Sequence, residues 1–138
     1  MTDAQDTRHR RRTGLVVEDD ADLRQLMVEI LADAGMETME CESAEAALAL
    51  MLIHGREIVV VLTDVQLPGL MDGVDFAREI KFRWPSLPVV LTSGHGASRF
   101  VEMPSNCVFL PKPWRGEDIV KLVEQAIASS ERRTQFGR

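Results

Sequence analysis

The run Ile58-Val59-Val60-Val61-Leu62-Thr63-Asp64 decides the fold. It is apolar and β-branched with no polar alternation until its last residue, the pattern of a strand covered on both faces in a parallel sheet. Shorter runs of the same character lie on either side of it, at Leu15–Val17, Met36–Cys41, Val89–Thr92 and Val108–Leu110. The segments between them change to a helical period. Leu23, Leu26, Met27, Ile30 and Leu31 recur at three- and four-residue steps and stop at Gly35, a helix-ending signal, with Asp20 or Asp22 as the cap at the start. Ser43 caps a second helix bearing Ala46, Ala47, Leu50 and Met51 that ends near Gly55. A third runs from about Asp72 to Trp84, where Pro85 stops it, and a last one from about Gly116 to Ser130 turns Ile119, Leu122, Val123, Ala126 and Ile127 inward. Strands alternating with helices predict an α/β fold, a parallel sheet with right-handed crossovers and helices on both faces. The link from 94 to 106 holds two glycines and a proline, which leaves room for a helical turn or two near 97–102.

With 138 residues the chain has the size of one domain with a real core, and no repeat or low-complexity stretch competes with that reading. A formal charge of −6 argues against a general nucleic-acid binder. The charge is uneven: residues 1–13 carry +2, from Arg8, Arg10, Arg11 and Arg12 against Asp3 and Asp6, and the remainder −8. The basic stretch reads as a disordered solvated arm. Leu15-Val16-Val17 runs straight into acids, unlike the core of a signal peptide, and no run approaches the ~20 apolar residues that span a bilayer, so a cytoplasmic, non-membrane protein is expected. Cys41 and Cys107 have neither zinc-ligand spacing nor partners and read as small buried hydrophobes. The seven methionines read as core filler, and Trp84 and Trp114 as partly buried packing residues.

Three polar clusters follow the apolar runs: Glu18-Asp19-Asp20, the lone Asp64, and Lys112 in Leu110-Pro111-Lys112-Pro113. In an open α/β sheet the carboxyl ends of the strands form the ligand edge, so the three belong to one site. Carboxylates gathered there repel one another unless they share a hard cation, and a nearby lysine adds positive charge for a phosphoryl group. The pattern is that of a phosphate-handling switch. Taken singly, an acidic triplet after a strand is a solvated loop and Ser93 a turn residue; the set in register is what points to chemistry.

With those motifs in order, the chain resembles the receiver domain of bacterial two-component response regulators from about Thr13 to Ser130. Leu15-Val16-Val17-Glu18-Asp19-Asp20 resembles the first strand and acidic pair, Thr63-Asp64-Val65-Gln66-Leu67-Pro68 the phosphoacceptor segment, and Thr92-Ser93-Gly94 the hydroxyl switch. Phe109-Leu110-Pro111-Lys112-Pro113-Trp114 resembles the last strand with its aromatic switch and lysine. The resemblance implies a flavodoxin-like sheet in strand order 2-1-3-4-5 with a shortened or irregular fourth helix, in a domain of residues 13–130 between tails at 1–12 and 131–138.

It further implies that Asp64 accepts a phosphoryl group from a sensor histidine kinase, with a hybrid kinase or one shared with another regulator among the options. Mg²⁺ (or Mn²⁺) would be held by Asp19, Asp64 and the backbone carbonyl of Gln66, with Glu18 acting through water. Lys112 and Ser93 would contact the phosphoryl oxygens, Phe109 would swing inward as Ser93 moves, and the Lys112–Pro113 bond would be cis. Gln66 and His95 occupy the positions that tune dephosphorylation. The implied protein is no enzyme in the ordinary sense but a single-domain regulator, monomeric or weakly dimeric, serving as a phosphate carrier or sink or as a partner-binding switch. The alternative is a pseudo-receiver scaffold that binds partners without phosphorylation. A small phosphatase is disfavoured because Gln66 stands where a second acid is needed. One departure stands out: Pro68-Gly69-Leu70-Met71-Asp72-Gly73 has one residue more than the family's usual Pro-x-Met-Asp-Gly spacing, which lengthens the loop beside the site.

Overall fold

The computed structural model describes residues 12–94 and 103–136. Five strands, β1 (Thr13–Val17), β2 (Glu37–Cys41), β3 (Ile58–Asp64), β4 (Val89–Ser93) and β5 (Cys107–Pro111), form one parallel sheet in the order β2-β1-β3-β4-β5. Four α-helices are described: α1 (Ala21–Asp33), α2 (Ala44–His54), α3 (Gly73–Arg83) and α4 (Gly116–Phe136). This is the flavodoxin-like arrangement expected from the sequence.

Side-chain alternation along the central strands divides the core in two. Leu15, Val17, Val61, Val89 and Leu91 face Ala44, Ala47 and Met51 of α2 and Phe76, Ala77 and Ile80 of α3. Val16, Val60, Leu62 and Val90 face Met27 and Leu31 of α1 and Ile119, Val123, Ala126 and Ile127 of α4. Each large side chain so covered contributes about 1.5–3 kcal/mol. The edge strands differ: β2 and β5 keep several residues exposed, and Cys107 at the start of β5 is only partly buried, against the expectation, whereas Cys41 at the end of β2 is buried as expected. Burial still pushes the Cys107 thiol up to about 12.

The caps read from sequence for α1 and α2 are in place: Asp20 Oδ1 accepts from the Asp22 and Leu23 amides, and Ser43 Oγ accepts from Ala46 N. At α3, Asp72 and Asp75 add a reciprocal capping box. Gly35, at φ 89°, closes α1.

Two boundaries depart from expectation. Helix α4 continues past Ser130 to Phe136, because Glu131-Arg132-Arg133-Thr134-Gln135-Phe136 contains good helix formers and nothing breaks the helix before Gly137. Arg12, assigned to the tail, instead leads into β1 and pairs with Glu124 of α4 at 2.6 Å. The expected irregular helix near 97–102 and the arm at 1–11 lie outside the described residues, as does His95. Among the described residues no helix is long and apolar enough to cross a membrane.

Candidate functional site

Strand register brings the polar clusters together. Val17 pairs with Thr63, Asp64 with Thr92, and Ser93 with Pro111, so Glu18, Asp64, Ser93 and Lys112 all emerge at the carboxyl edge of β1, β3, β4 and β5. At the centre of the edge Glu18, Asp64 and Ser93 are buried although polar.

Lys112 Nζ lies 3.2 Å from Asp64 Oδ2. Its backbone N–H donates to the Ser93 carbonyl at 3.0 Å, and its aliphatic stem runs beside Gly94. The Lys112–Pro113 peptide is cis, as expected. Asp64 Oδ1 accepts from the Gln66 amide at 3.2 Å. Behind Asp64, α3 approaches so closely that a Cβ on Gly73 would stand 2.2 Å from the Asp64 carbonyl oxygen, and the Gly73 amide donates to the Val65 carbonyl at 2.7 Å. The absence of a side chain at residue 73 therefore lets the helix start against the end of β3.

Glu18 is anchored by one oxygen only. Oε2 accepts from Asp20 N at 3.0 Å, whereas Oε1 is buried with no hydrogen-bond partner among the described residues. Burial foremost, reinforced by the neighbouring Asp64 carboxylate, raises the Glu18 carboxyl from 4.5 to about 7; the Asp20 amide and Lys112 oppose the rise. When protonated it can donate to Asp64; when ionised it leaves a partnerless oxygen against a second carboxylate. A hydrated divalent cation would satisfy that oxygen through a bound water and offset the charges, so the donor set fits a hard metal ion. It is not a closed cage, since no three His, Cys, Asp or Glu side chains among the described residues are gathered for a metal, and Asp19 points to solvent. A cation that keeps several waters, as Mg²⁺ does, suits so open a set.

Phe109 lies on β5 opposite Leu91, partly buried against the cluster beneath α2 and α3. Gln66 is exposed, on the loop between β3 and α3.

The structure adds Arg24, which the sequence did not single out, and gives Trp114, read from the sequence as a packing residue, a hydrogen-bonding partner. Arg24 Nη1 donates to the Glu18 carbonyl at 2.8 Å while its Nε pairs with Glu40 at 3.1 Å, tying the acidic turn to α1 and β2. Trp114 Nε1 donates to the buried Thr92 hydroxyl at 2.9 Å, which fixes the Lys112 segment against β4. Arg24 lies one helical turn beyond the Asp20 cap, the one signal the sequence offers for it, whereas Trp114 closes the segment from Phe109 to Trp114 already read from the sequence.

Residues 15–124 match the family described as response regulator receiver domain. The chain belongs to that family. Among its relatives, the DNA-binding transcriptional regulator NtrC of Salmonella typhimurium is 32% identical over 123 residues, 87% of this chain and 26% of NtrC. Response regulator protein FleR of Pseudomonas aeruginosa is 37% identical over 112 residues, 79% of this chain and 23% of FleR. This receiver chain thus spans about a quarter of the length of these curated relatives. A receiver domain protein from Clostridium thermocellum superposes with a TM-score of 0.80 at 28% identity, covering 87% of this chain and 97% of that one. The NtrX receiver domain of Brucella abortus gives 0.73 at 35% identity over 83% and 98% of the two chains. Receivers are phosphoacceptor signalling domains of two-component systems rather than enzymes in the ordinary sense, they generally bind Mg²⁺ at the phosphorylation site, and their phosphoryl donors are histidine kinases.

Proposed function

We propose that Asp64 is the phosphoacceptor of this receiver and that it takes its phosphoryl group from a phosphohistidine of a sensor kinase. The observation that carries the reading is the Lys112 ammonium 3.2 Å from Asp64 Oδ2, at a sheet edge where Glu18 leaves a carboxylate oxygen without a partner among the described residues. A carboxylate oxygen of Asp64 attacks phosphorus in line with the departing imidazole nitrogen, forming an acyl phosphate as the P–N bond breaks. Lys112 then exchanges its ion pair with Asp64 for one with a phosphoryl oxygen, and Ser93 donates its hydroxyl to another. Mg²⁺, when bound, offsets the charge of the carboxylates and the incoming group. Asp19, Asp64 and the Gln66 carbonyl would hold it directly and Glu18 through water.

Inward movement of Ser93 clears space for Phe109, a packing change that a partner on the β5 side can sense. Gln66 and His95 set the lifetime of the acyl phosphate by admitting or excluding water. The output is partner contact or drainage of phosphate from a kinase, and the net acidic charge supports a protein partner over nucleic acid. The inward stripe of α4, Ile119, Val123, Ala126 and Ile127, is occupied by core packing, which supports a monomer, and a cytoplasmic setting accompanies this reading.

The test is the time course of intact mass in acetyl phosphate and Mg²⁺. One phosphoryl adduct, abolished by chelation and by Asp64→Asn, supports the proposal, and its decay separates a lasting switch from a rapid sink. A folded protein that gains no adduct from acetyl phosphate or from a phosphorylated kinase would be a scaffold instead.

A further inference from the structure

The loop that bears Gln66 is held by a side chain from a different helix. Glu45, in the first turn of α2, accepts hydrogen bonds from Leu70 N at 2.9 Å and Met71 N at 3.1 Å, both through Oε2. Gly69, at φ 94°, lets the backbone wrap the carboxylate: a Cβ there would stand 2.7 Å from Glu45 Oε1. Consecutive amides turned toward one carboxylate make a small anion-binding concavity. Packing of Leu70 contributes nothing to holding the loop, since its side chain is 99% exposed. One end of the loop is fixed by the Gln66 amide on Asp64 and the Gly73 amide on Val65, the other by the Asp72–Asp75 capping box. Glu45 ties down the stretch between, where the family's usual spacing is exceeded by one residue.

We propose that Glu45 is a positioning residue for cation binding, holding the lengthened loop in the conformation from which the Gln66 carbonyl serves Mg²⁺. This rests on the reading of the site as a Mg²⁺-dependent phosphoacceptor. Mg²⁺ demands near-octahedral geometry, so a backbone ligand on an untied loop would have to be ordered at the moment of binding, and that ordering lowers affinity. Glu45 touches no reacting atom, so its loss weakens cation binding and spares the phosphoryl step once the cation is saturating.

The experiment compares the whole chain with Glu45→Ala and Glu45→Gln. Mg²⁺ affinity is measured by calorimetry, amide hydrogen exchange is followed at Leu70 and Met71 without metal, and phosphorylation by acetyl phosphate is measured at saturating Mg²⁺. Outer residues that orient metal ligands typically matter about 10–100-fold, and a solvent-exposed tie to the loop backbone belongs at or below the bottom of that range, so Glu45→Ala should weaken Mg²⁺ by about 3–10-fold. Its two amides exchange faster, its saturated rate stays within about 2-fold of the parent, and Glu45→Gln, which keeps an acceptor oxygen, recovers most of the affinity. Unchanged Mg²⁺ affinity despite faster exchange overturns the proposal, and so does a saturated rate that falls with the affinity. Equal weakening in both variants also overturns it, because charge rather than the tie would then be responsible. A parent chain that neither binds Mg²⁺ nor gains phosphate would overturn the functional reading and this proposal with it.

Discussion

Lys112 and Asp64 meet at 3.2 Å across the carboxyl edge of the sheet although 48 residues separate them. The contact spans three strands: Asp64 ends β3, Lys112 follows β5, and Ser93 of β4 lies between, its carbonyl accepting the Lys112 amide. The lysine is therefore placed beside Asp64 by backbone register. Lys112→Ala should fold and yet take up phosphate about 10–100-fold more slowly, the loss expected for one charge-assisted hydrogen bond to the transferred group. Adduct formation against time in acetyl phosphate and Mg²⁺ reads it directly.

Glu18 gives the metal-free protein a pH signature. Its folded carboxyl keeps a proton up to about pH 7, against 4.5 for an exposed one, because burial and Asp64 disfavour the anion. Between those values the folded state binds more protons than the unfolded state, so this group's stabilisation is complete below 4.5 and is lost as pH rises toward 7. The expected outcome is a melting temperature in chelator that declines from pH 5 to pH 8 more steeply than that of Glu18→Gln. Saturating Mg²⁺ should flatten the parent's profile. Parallel profiles for parent and variant in chelator would refute the assignment.

Gly73→Ala tests the junction behind Asp64. The new Cβ would lie 2.2 Å from the Asp64 carbonyl oxygen and 2.8 Å from the Val65 Cα, both backbone atoms that cannot swing aside. The start of α3 must move, at a cost of about 2 kcal/mol or more, measurable by urea unfolding.

Trp114→Phe retains an aromatic ring but removes the indole donor from the Thr92 hydroxyl, which is fully buried. An unsatisfied buried hydroxyl costs about 1–3 kcal/mol, and the same urea titration measures it. Thr92→Val in the Trp114→Phe background should recover part of the loss, since both polar partners are then gone.

Much of this architecture was legible in the sequence because its causes are local. The apolar run at Ile58–Thr63, the caps at Asp20 and Ser43, and Gly35 after α1 each announce an element through residues within one turn or one strand. The site was legible because a parallel sheet sends every strand's carboxyl end to one edge. The end of α4 was misread because the residues after Ser130 are polar and carry no inward apolar stripe, although they are helix formers and carry the helix on. The Glu45 tie joins residues 25 and 26 apart through backbone amides, which every residue but proline possesses, and so left no side-chain signature beyond Gly69. The partial exposure of Cys107 did not follow from composition either, since it depends on how the start of β5 is covered.

The central claim is the identity of the acceptor atom, and reductive trapping tests it most directly. Borohydride converts an aspartyl phosphate to homoserine, so the chain is incubated with acetyl phosphate and Mg²⁺, reduced, digested and mapped by tandem mass spectrometry. Homoserine at residue 64, and at neither Asp19 nor Asp20, is the predicted result. Homoserine at another aspartate, or a phosphoryl adduct that persists in Asp64→Asn, would contradict the account.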